Sequence, residues 1–212
     1  MTTIDVVLGS TRPNRFAEKP ARWVLERLNA RPGVEARLVD LRDHPLPFFD
    51  REAPPAYTGR EHPTPETARF AATIDQADGY VFVTPEYNHG ISGALKNAID
   101  FLFAEWNNKA AGFVSYGGVS AGSRAVEVIK QIATTLKMMP IPEAISIPFV
   151  FRLIQGSHFK PEPELEYAAT AMLDELRRWA DALSGFRAPH EPPAVSRDGV
   201  DAGPAAMTHF RG

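Results

Sequence analysis

GYVFVTPEYNHGISGALKNAIDF, residues 79–101, passes from an apolar run through a well-furnished loop into an amphipathic helix. Gly79-Tyr80-Val81-Phe82-Val83-Thr84 is short, continuous and rich in β-branched and aromatic side chains, the pattern of a buried strand. From Ser92 onward the apolar positions take helical spacing, with Ser92 placed as the N-cap. In open α/β sheets such strand–loop–helix junctions bind ligands, at the carboxyl ends of the strands. Pro85 stiffens the loop, Glu86 and Asn88 offer polar groups, and Tyr87 and His89 offer flat rings. Gly90 and Gly93 admit close backbone approach. The loop suits a flat heteroaromatic ligand whose edge needs backbone hydrogen bonds. The plainer alternative is a polar connection leading into a capped helix.

Two further loops of this kind follow other strand patterns. Thr3 to Leu8 runs into Gly9-Ser10-Thr11-Arg12-Pro13-Asn14-Arg15-Phe16, and Ala111 to Tyr116 runs into Gly117-Gly118-Val119-Ser120-Ala121-Gly122-Ser123-Arg124. Strands are expected at 3–9, 34–41, 79–84, 111–116 and 144–150. Helices are expected at 14–30, 64–77, 92–105, 121–138 and 163–184, the last ending at Gly185. Thr64 is placed as a cap with Pro65 at the first helical position. Alternation of this kind implies a mainly parallel sheet covered by helices on both faces. Five strands favour the three-layer order 2-1-3-4-5 of flavodoxin-like folds, and the G-x-G-x-x-G fingerprint is missing after the first strand. The three loops would then share one sheet edge.

Composition narrows the function. At 212 residues the chain is large enough for one domain, and 44% hydrophobic with 23% charged residues is ordinary for a globular protein. A net charge of -3 indicates neither a nucleic-acid surface nor attraction to an anionic membrane. There is no cysteine, which excludes thiolate catalysis and thiolate metal sites. The six histidines lack helical ligand spacing, so no metal site is expected. No apolar run reaches the roughly 20 residues of a membrane span, and the N-terminus enters a strand directly, so a cytoplasmic location is expected. Residues 42–63 form a long proline-rich connection carrying Leu46, Phe48 and Phe49. Residues 1–186 read as one domain and 187–212, rich in Pro, Gly and Ala, as an irregular tail.

The first loop has the groups a phosphate requires: hydroxyls from Ser10 and Thr11, guanidinium groups from Arg12 and Arg15, and the positive end of the following helix. It lacks the longer glycine run and lysine of a P-loop. Lys96 reads as a solvated or paired residue. Arg124 reads either as a ligand contact or as an ion-pair partner of a carboxylate such as Glu127.

Taken together, Gly9-Ser10-Thr11-Arg12, Pro85-Glu86-Tyr87-Asn88, Gly93 to Asp100 and Tyr116-Gly117-Gly118 resemble the NADPH-dependent FMN reductase family, flavodoxin-like proteins that include quinone, azo-dye and chromate reductases. The resemblance spans roughly residues 3–150. It implies noncovalent FMN, with the phosphate on Ser10, Arg12 and the stretch Arg15, Phe16 and Ala17. The ring system would lie against Pro85, Glu86, Tyr87 and Asn88 and against Tyr116, Gly117 and Gly118. It further implies NADPH or NADH as reductant, a small planar acceptor, ping-pong turnover, and no catalytic side chain beyond the flavin. Many relatives carry Ser-x-Pro-Gly after the Asn; here His89-Gly90-Ile91-Ser92-Gly93 stands instead, and His89 and Phe48 are candidates to touch the acceptor. A flavodoxin-type electron carrier and an FMN-binding regulatory module are the alternatives. The aromatic content of 42–63, with Phe101, Phe103 and Trp106, leads us to expect a homodimer or dimer of dimers.

Overall fold

In the computed structural model, which describes residues 1–155 and 158–187, β1 (Thr2–Leu8) pairs in parallel with β2 (Val34–Asp40) and β3 (Gly79–Pro85). β4 (Ala110–Tyr116) and β5 (Met139–Ile147) complete one five-stranded parallel sheet of order β2-β1-β3-β4-β5. The period-2 alternation of strands sorts side chains between two cores. Ile4, Val6, Leu8, Val81, Val83 and Val114 face α1 (Glu18–Asn29) and α6 (Pro163–Leu183). Val7, Tyr80, Phe82 and Phe113 face α3 (Pro65–Asp75), α4 (Gly93–Asp100) and α5 (Ser123–Thr135). The expected three-layer sandwich is the fold. All three loops singled out above leave the carboxyl ends of β1, β3 and β4, and these strands are neighbours in the sheet.

The local chemistry at the helix starts is as expected at two places. Thr64 caps α3, its hydroxyl accepting from the Thr67 amide while Thr67 returns a bond to the Thr64 amide, with Pro65 at the first position. Ser92 caps α4 by accepting from the Leu95 amide at 3.2 Å, and its hydroxyl also donates to the Gly9 carbonyl, which ties the third strand's loop to the first strand's end.

Several boundaries differ from the sequence expectation. α1 starts at Glu18 rather than 14, because the loop before it is held in turns around Asn14, which has a positive φ. α4 ends at Asp100 instead of running to 105: the chain turns inward so that Phe101 and Trp106 enter the core, 2% and 1% exposed. Trp106 Nε1 then donates to the Ile99 carbonyl at 3.2 Å, satisfying a helix-end acceptor. Phe101 and Trp106, read as aromatic surplus, are therefore core material, with Trp106 edge-on to Phe70 and Tyr80 and tilted against Phe82. β5 starts at Met139, five residues before the expectation of 144. Pro140 and Pro142 hid it, and they are tolerated because β5 is an edge strand with a register irregularity opposite Ala111 and Phe113. The last helix does not stop on a left-handed Gly185; it tightens into a 3-10 turn, Ser184–Arg187.

Unforeseen were the short helix α2 (Pro55–Thr58) inside the 42–63 connection and the hairpin of β6 (Ile154–Gln155) with β7 (His158–Phe159). Phe159 packs its ring on Phe16 and Trp23, at centroid distances of 5.8 and 5.5 Å. Arg187, expected to open the irregular tail, instead ion-pairs with Asp78 at 2.5 Å; the remainder of that tail, 188–212, lies outside the described residues. At the amino ends of the strands, Lys109 is buried and donates to the Ile74 and Asp75 carbonyls and Tyr80 Oη. Burial pushes its pKa down to about 8.

Candidate functional site

The β1 loop is organised by a guanidinium. Arg15 is buried, and it donates to the Ser10 carbonyl, to both oxygens of Asp40 at the end of β2, and to Glu18 at 3.1 Å. Burial alone would raise the Asp40 pKa, but hydrogen bonds from Arg15 and Arg42 hold it well below the usual carboxylate range. Arg15, expected as a phosphate ligand, therefore has its terminal nitrogens committed to the protein. Its Nε is buried with no partner among the described residues. Arg12 is exposed, makes no ion pair with a described carboxylate, and lies over the Tyr87 ring at 5.9 Å. Among the described residues, no acceptor takes the amides of Asn14, Arg15, Phe16 and Ala17, and α1 begins without a side-chain cap. A run of unpaired amides at a helix start, beside a hydroxyl and a guanidinium, matches the donor set a phosphate dianion requires.

The β3 loop is a two-residue hairpin. Tyr87 and Gly90 exchange both backbone hydrogen bonds at 3.0 Å, and Asn88 and His89 between them have φ of 49° and 68°. Positive φ at both central positions is the type I′ turn, which asparagine favours and histidine tolerates. Here lies the reason for His89: it occupies a turn position and lines none of the three cavities described below.

The three loops enclose a cavity of about 350 Å³ lined by Ser10, Arg12, Pro13, Asn14, Arg15 and Phe16 on one side. Pro85, Glu86, Tyr87, Tyr116, Gly117 and Val150 line the other side. Of the residues expected here, Ser10, Arg12, Arg15, Phe16, Pro85, Glu86, Tyr87, Tyr116 and Gly117 are brought together. Ala17 is fully buried in the core behind the loop, Asn88 sits in the hairpin, and Gly118 lines a smaller adjoining cavity of about 200 Å³. The left-handed residues of the β4 loop are Ala121 and Gly122, with φ of 51° and 81°; Gly117 and Gly118 do not have positive φ. Phe48 is 89% exposed and borders a third cavity of about 660 Å³, with Thr11, Arg42, His44, Gly93 and Asn97.

Ser10 Oγ stands 3.1 Å from Tyr87 Oη, linking the first and second loops. Burial pushes the Tyr116 hydroxyl pKa up, the neighbouring Tyr87 adds to this, and a hydrogen bond with Ser10 opposes it. Tyr116 therefore holds its proton more firmly than a free tyrosine does. Arg124 pairs with Glu86 across the β3 and β4 loops; Glu127, the carboxylate named from sequence, pairs with Lys130 instead. Lys96 pairs with Asp100. Val150, which no signal marked in the sequence, reaches the cavity because the chain after β5 folds back. Phe149 and Val150 donate to the Gly118 and Gly117 carbonyls at 3.2 and 3.3 Å. Among the described residues, no group of His, Asp and Glu could hold a metal ion, and no helix is long and apolar enough to cross a membrane.

Residues 2–151 match the family model described as NADPH-dependent FMN reductase. An NAD(P)H-dependent FMN reductase from Schizosaccharomyces pombe is 36% identical, over 82% of this chain and 85% of the relative. A quinone reductase from Pseudomonas putida is 34% identical, over 67% of this chain and 76% of its own length. Among solved structures, the flavoenzyme NAD(P)H:(acceptor) oxidoreductase FerB from Paracoccus denitrificans superposes with a TM-score of 0.67. It covers 86% of this chain and 98% of its own at 22% identity, a likeness of fold.

Proposed function

This chain belongs to the NADPH-dependent FMN reductase family, and on that premise we propose that the 350 Å³ cavity holds FMN and serves electron transfer from NAD(P)H to quinone-type acceptors. The observation that carries the reading is the donor set of the β1 loop: unpaired amides, Ser10 and Arg12 gathered on a scaffold that Arg15 fixes from beneath. Arg15 supports the phosphate site chiefly by holding the Ser10 carbonyl and Asp40, and its buried Nε has no partner among the described residues. The stretch Pro85 to Tyr87, together with Tyr116 and Gly117, walls the place for the ring system.

When bound, FMN supplies the hydride and electron chemistry, and no side chain need act as nucleophile. The chain's own residues bind and orient. Arg12 and the loop amides neutralise the phosphate, Tyr116 supplies a hydroxyl donor, and the hairpin at 87–90 fixes the angle of the Tyr87 ring. A single stacking place on the bound cofactor, used in turn by nicotinamide and acceptor, would give ping-pong turnover. The reductant is NADPH or NADH, the acceptor a small planar molecule, and the setting the cytoplasm.

Purified protein incubated with FMN is expected to show a flavin spectrum at about one FMN per chain, with riboflavin bound more weakly. Arg12→Ala removes a charge-assisted bond of about 1.5–3 kcal/mol, so FMN affinity should fall at least about tenfold while riboflavin affinity barely changes. Equal affinities of the unmodified chain for FMN and riboflavin would remove the assignment.

The same reading extends to assembly as a homodimer or dimer of dimers with the flavin near a subunit boundary. With Phe101 and Trp106 inside the core, support comes from the 42–63 connection: Phe48 and Tyr57 are 89% and 82% exposed, and Phe48 overhangs the apolar 660 Å³ cavity beside α4. Light scattering at micromolar concentration should give at least twice the chain mass; a monomer refutes the assembly.

A further inference from the structure

On the placement of FMN just proposed, on which this rests, we infer that the Glu86–Arg124 ion pair sets the reduction potential of the bound flavin. Glu86 stands where the two smaller cavities meet. It lines the larger of them with Pro85, Tyr87 and Tyr116, and the smaller with Gly117, Gly118 and Arg124. Among the described residues it is the only carboxylate lining either one. Its side chain is 8% exposed, so its charge acts in a poorly screened place.

Among the described residues, every partner of that carboxylate comes from the start of α5. Arg124 Nε donates to Oε1 at 2.5 Å, Arg124 Nη2 reaches the same oxygen, and the Arg124 amide donates to Oε2 at 3.2 Å. Gly122 leaves α5 without a side-chain cap of its own, so Glu86 fills that role from another loop. The amide and helix end neutralise part of the carboxylate; the guanidinium supplies the remainder. Arg124 is itself 45% exposed, so its removal need not disturb the core.

Charge makes this more than a loop fastener. An isoalloxazine that accepts two electrons and one proton gains a net negative charge, which an uncompensated neighbouring carboxylate opposes. Arg124 holds Glu86 close to neutral as seen from the cavity, and so favours the reduced cofactor over what Glu86 alone would allow. Arg124 is in this sense a positioning residue with an electrostatic effect, acting through Glu86.

The test is the midpoint potential of the FMN-loaded protein at pH 7, measured by equilibration against a reference dye during reduction with xanthine and xanthine oxidase. The dissociation constant for oxidised FMN, measured by fluorescence titration, goes alongside. Arg124→Ala is expected to weaken reduced FMN about tenfold more than oxidised FMN, a fall of about 30 mV for a two-electron couple. Arg124→Lys should keep most of the wild-type potential, Glu86→Gln should raise it, and the Glu86→Gln/Arg124→Ala double variant should return to the wild-type value. Equal weakening of oxidised and reduced FMN in Arg124→Ala, with the potential unmoved, would make the pair a fastener only and overturn the inference. Wild-type protein that takes up no FMN would overturn the placement itself, a result distinct from an unmoved potential.

Discussion

Gly122→Ala is expected to destabilise the protein by about 2–5 kcal/mol and to lower its melting temperature by roughly 4–20 °C. Two costs combine there. The backbone has φ of 81°, where an L side chain pays about 1–2 kcal/mol. A Cβ would also stand 2.9 Å from both Ser115 Cβ and the Tyr116 nitrogen, and 3.0 Å from the Tyr116 oxygen. These are parts of a buried strand that cannot yield without moving the cavity wall, which adds an overpacking cost of about 1–3 kcal/mol. Gly33→Ala is the control. It too has positive φ, but its near neighbour is the flexible end of Arg177 at 3.3 Å, so its loss should stay near the dihedral cost alone. Denaturant titration of both variants decides the matter; equal losses would show that the close approach at Gly122 contributes nothing.

The second large effect is at Asp40. Asp40→Ala leaves Arg15, whose side chain is 1% exposed, with Glu18 as its remaining carboxylate. Removing one partner of a buried pair costs about 3–5 kcal/mol, and the retained Glu18 places the expectation at the lower end. The Arg42→Ala control removes a partner that is 44% exposed and should cost under about 1 kcal/mol. Acid titration supplies a further signature. The folded-state pKa of Asp40 is lowered, so its contribution is fully present above the unfolded value near 3.9 and is lost as pH falls through the folded value. Unfolding free energy measured from pH 6 to pH 2 should therefore fall less steeply in Asp40→Asn than in the wild type below about pH 4. Parallel curves would mean that Asp40 is not held by Arg15 and Arg42 in solution. Because Arg15 also holds the Ser10 carbonyl, Asp40→Ala should weaken FMN without touching the cavity wall.

The sheet order, the two-sided helical cover and the loops that meet at the site were legible because each rests on local chemistry. Continuous apolar strands, the caps Thr64 and Ser92, and glycine or hydroxyl groups after β1, β3 and β4 carry that information within a few residues. What escaped depends on partners distant in sequence. Arg15 reads as a ligand until Asp40, 25 residues on, claims it, and Arg124 reads toward Glu127 until the fold presents Glu86 from 38 residues away. β5 was masked by Pro140 and Pro142 because local propensity cannot know that a strand will lie at the sheet edge. Trp106 pulling the end of α4 inward is a tertiary demand that periodicity does not contain. Val150 enters the cavity only through the return of the chain after β5.

The prolines of β5 also bear on how copies of this chain can meet. Met139 spends its amide on the Lys109 carbonyl just before β4, and Pro140 and Pro142 carry no N–H, so the outer rim of the sheet is short of donors on that side. The opposite rim, β2, presents exposed Glu35 and an Arg37 tied to Asp5. Neither rim is a template for strand-by-strand growth, which protects the open sheet against amyloid-like stacking and runaway polymerisation.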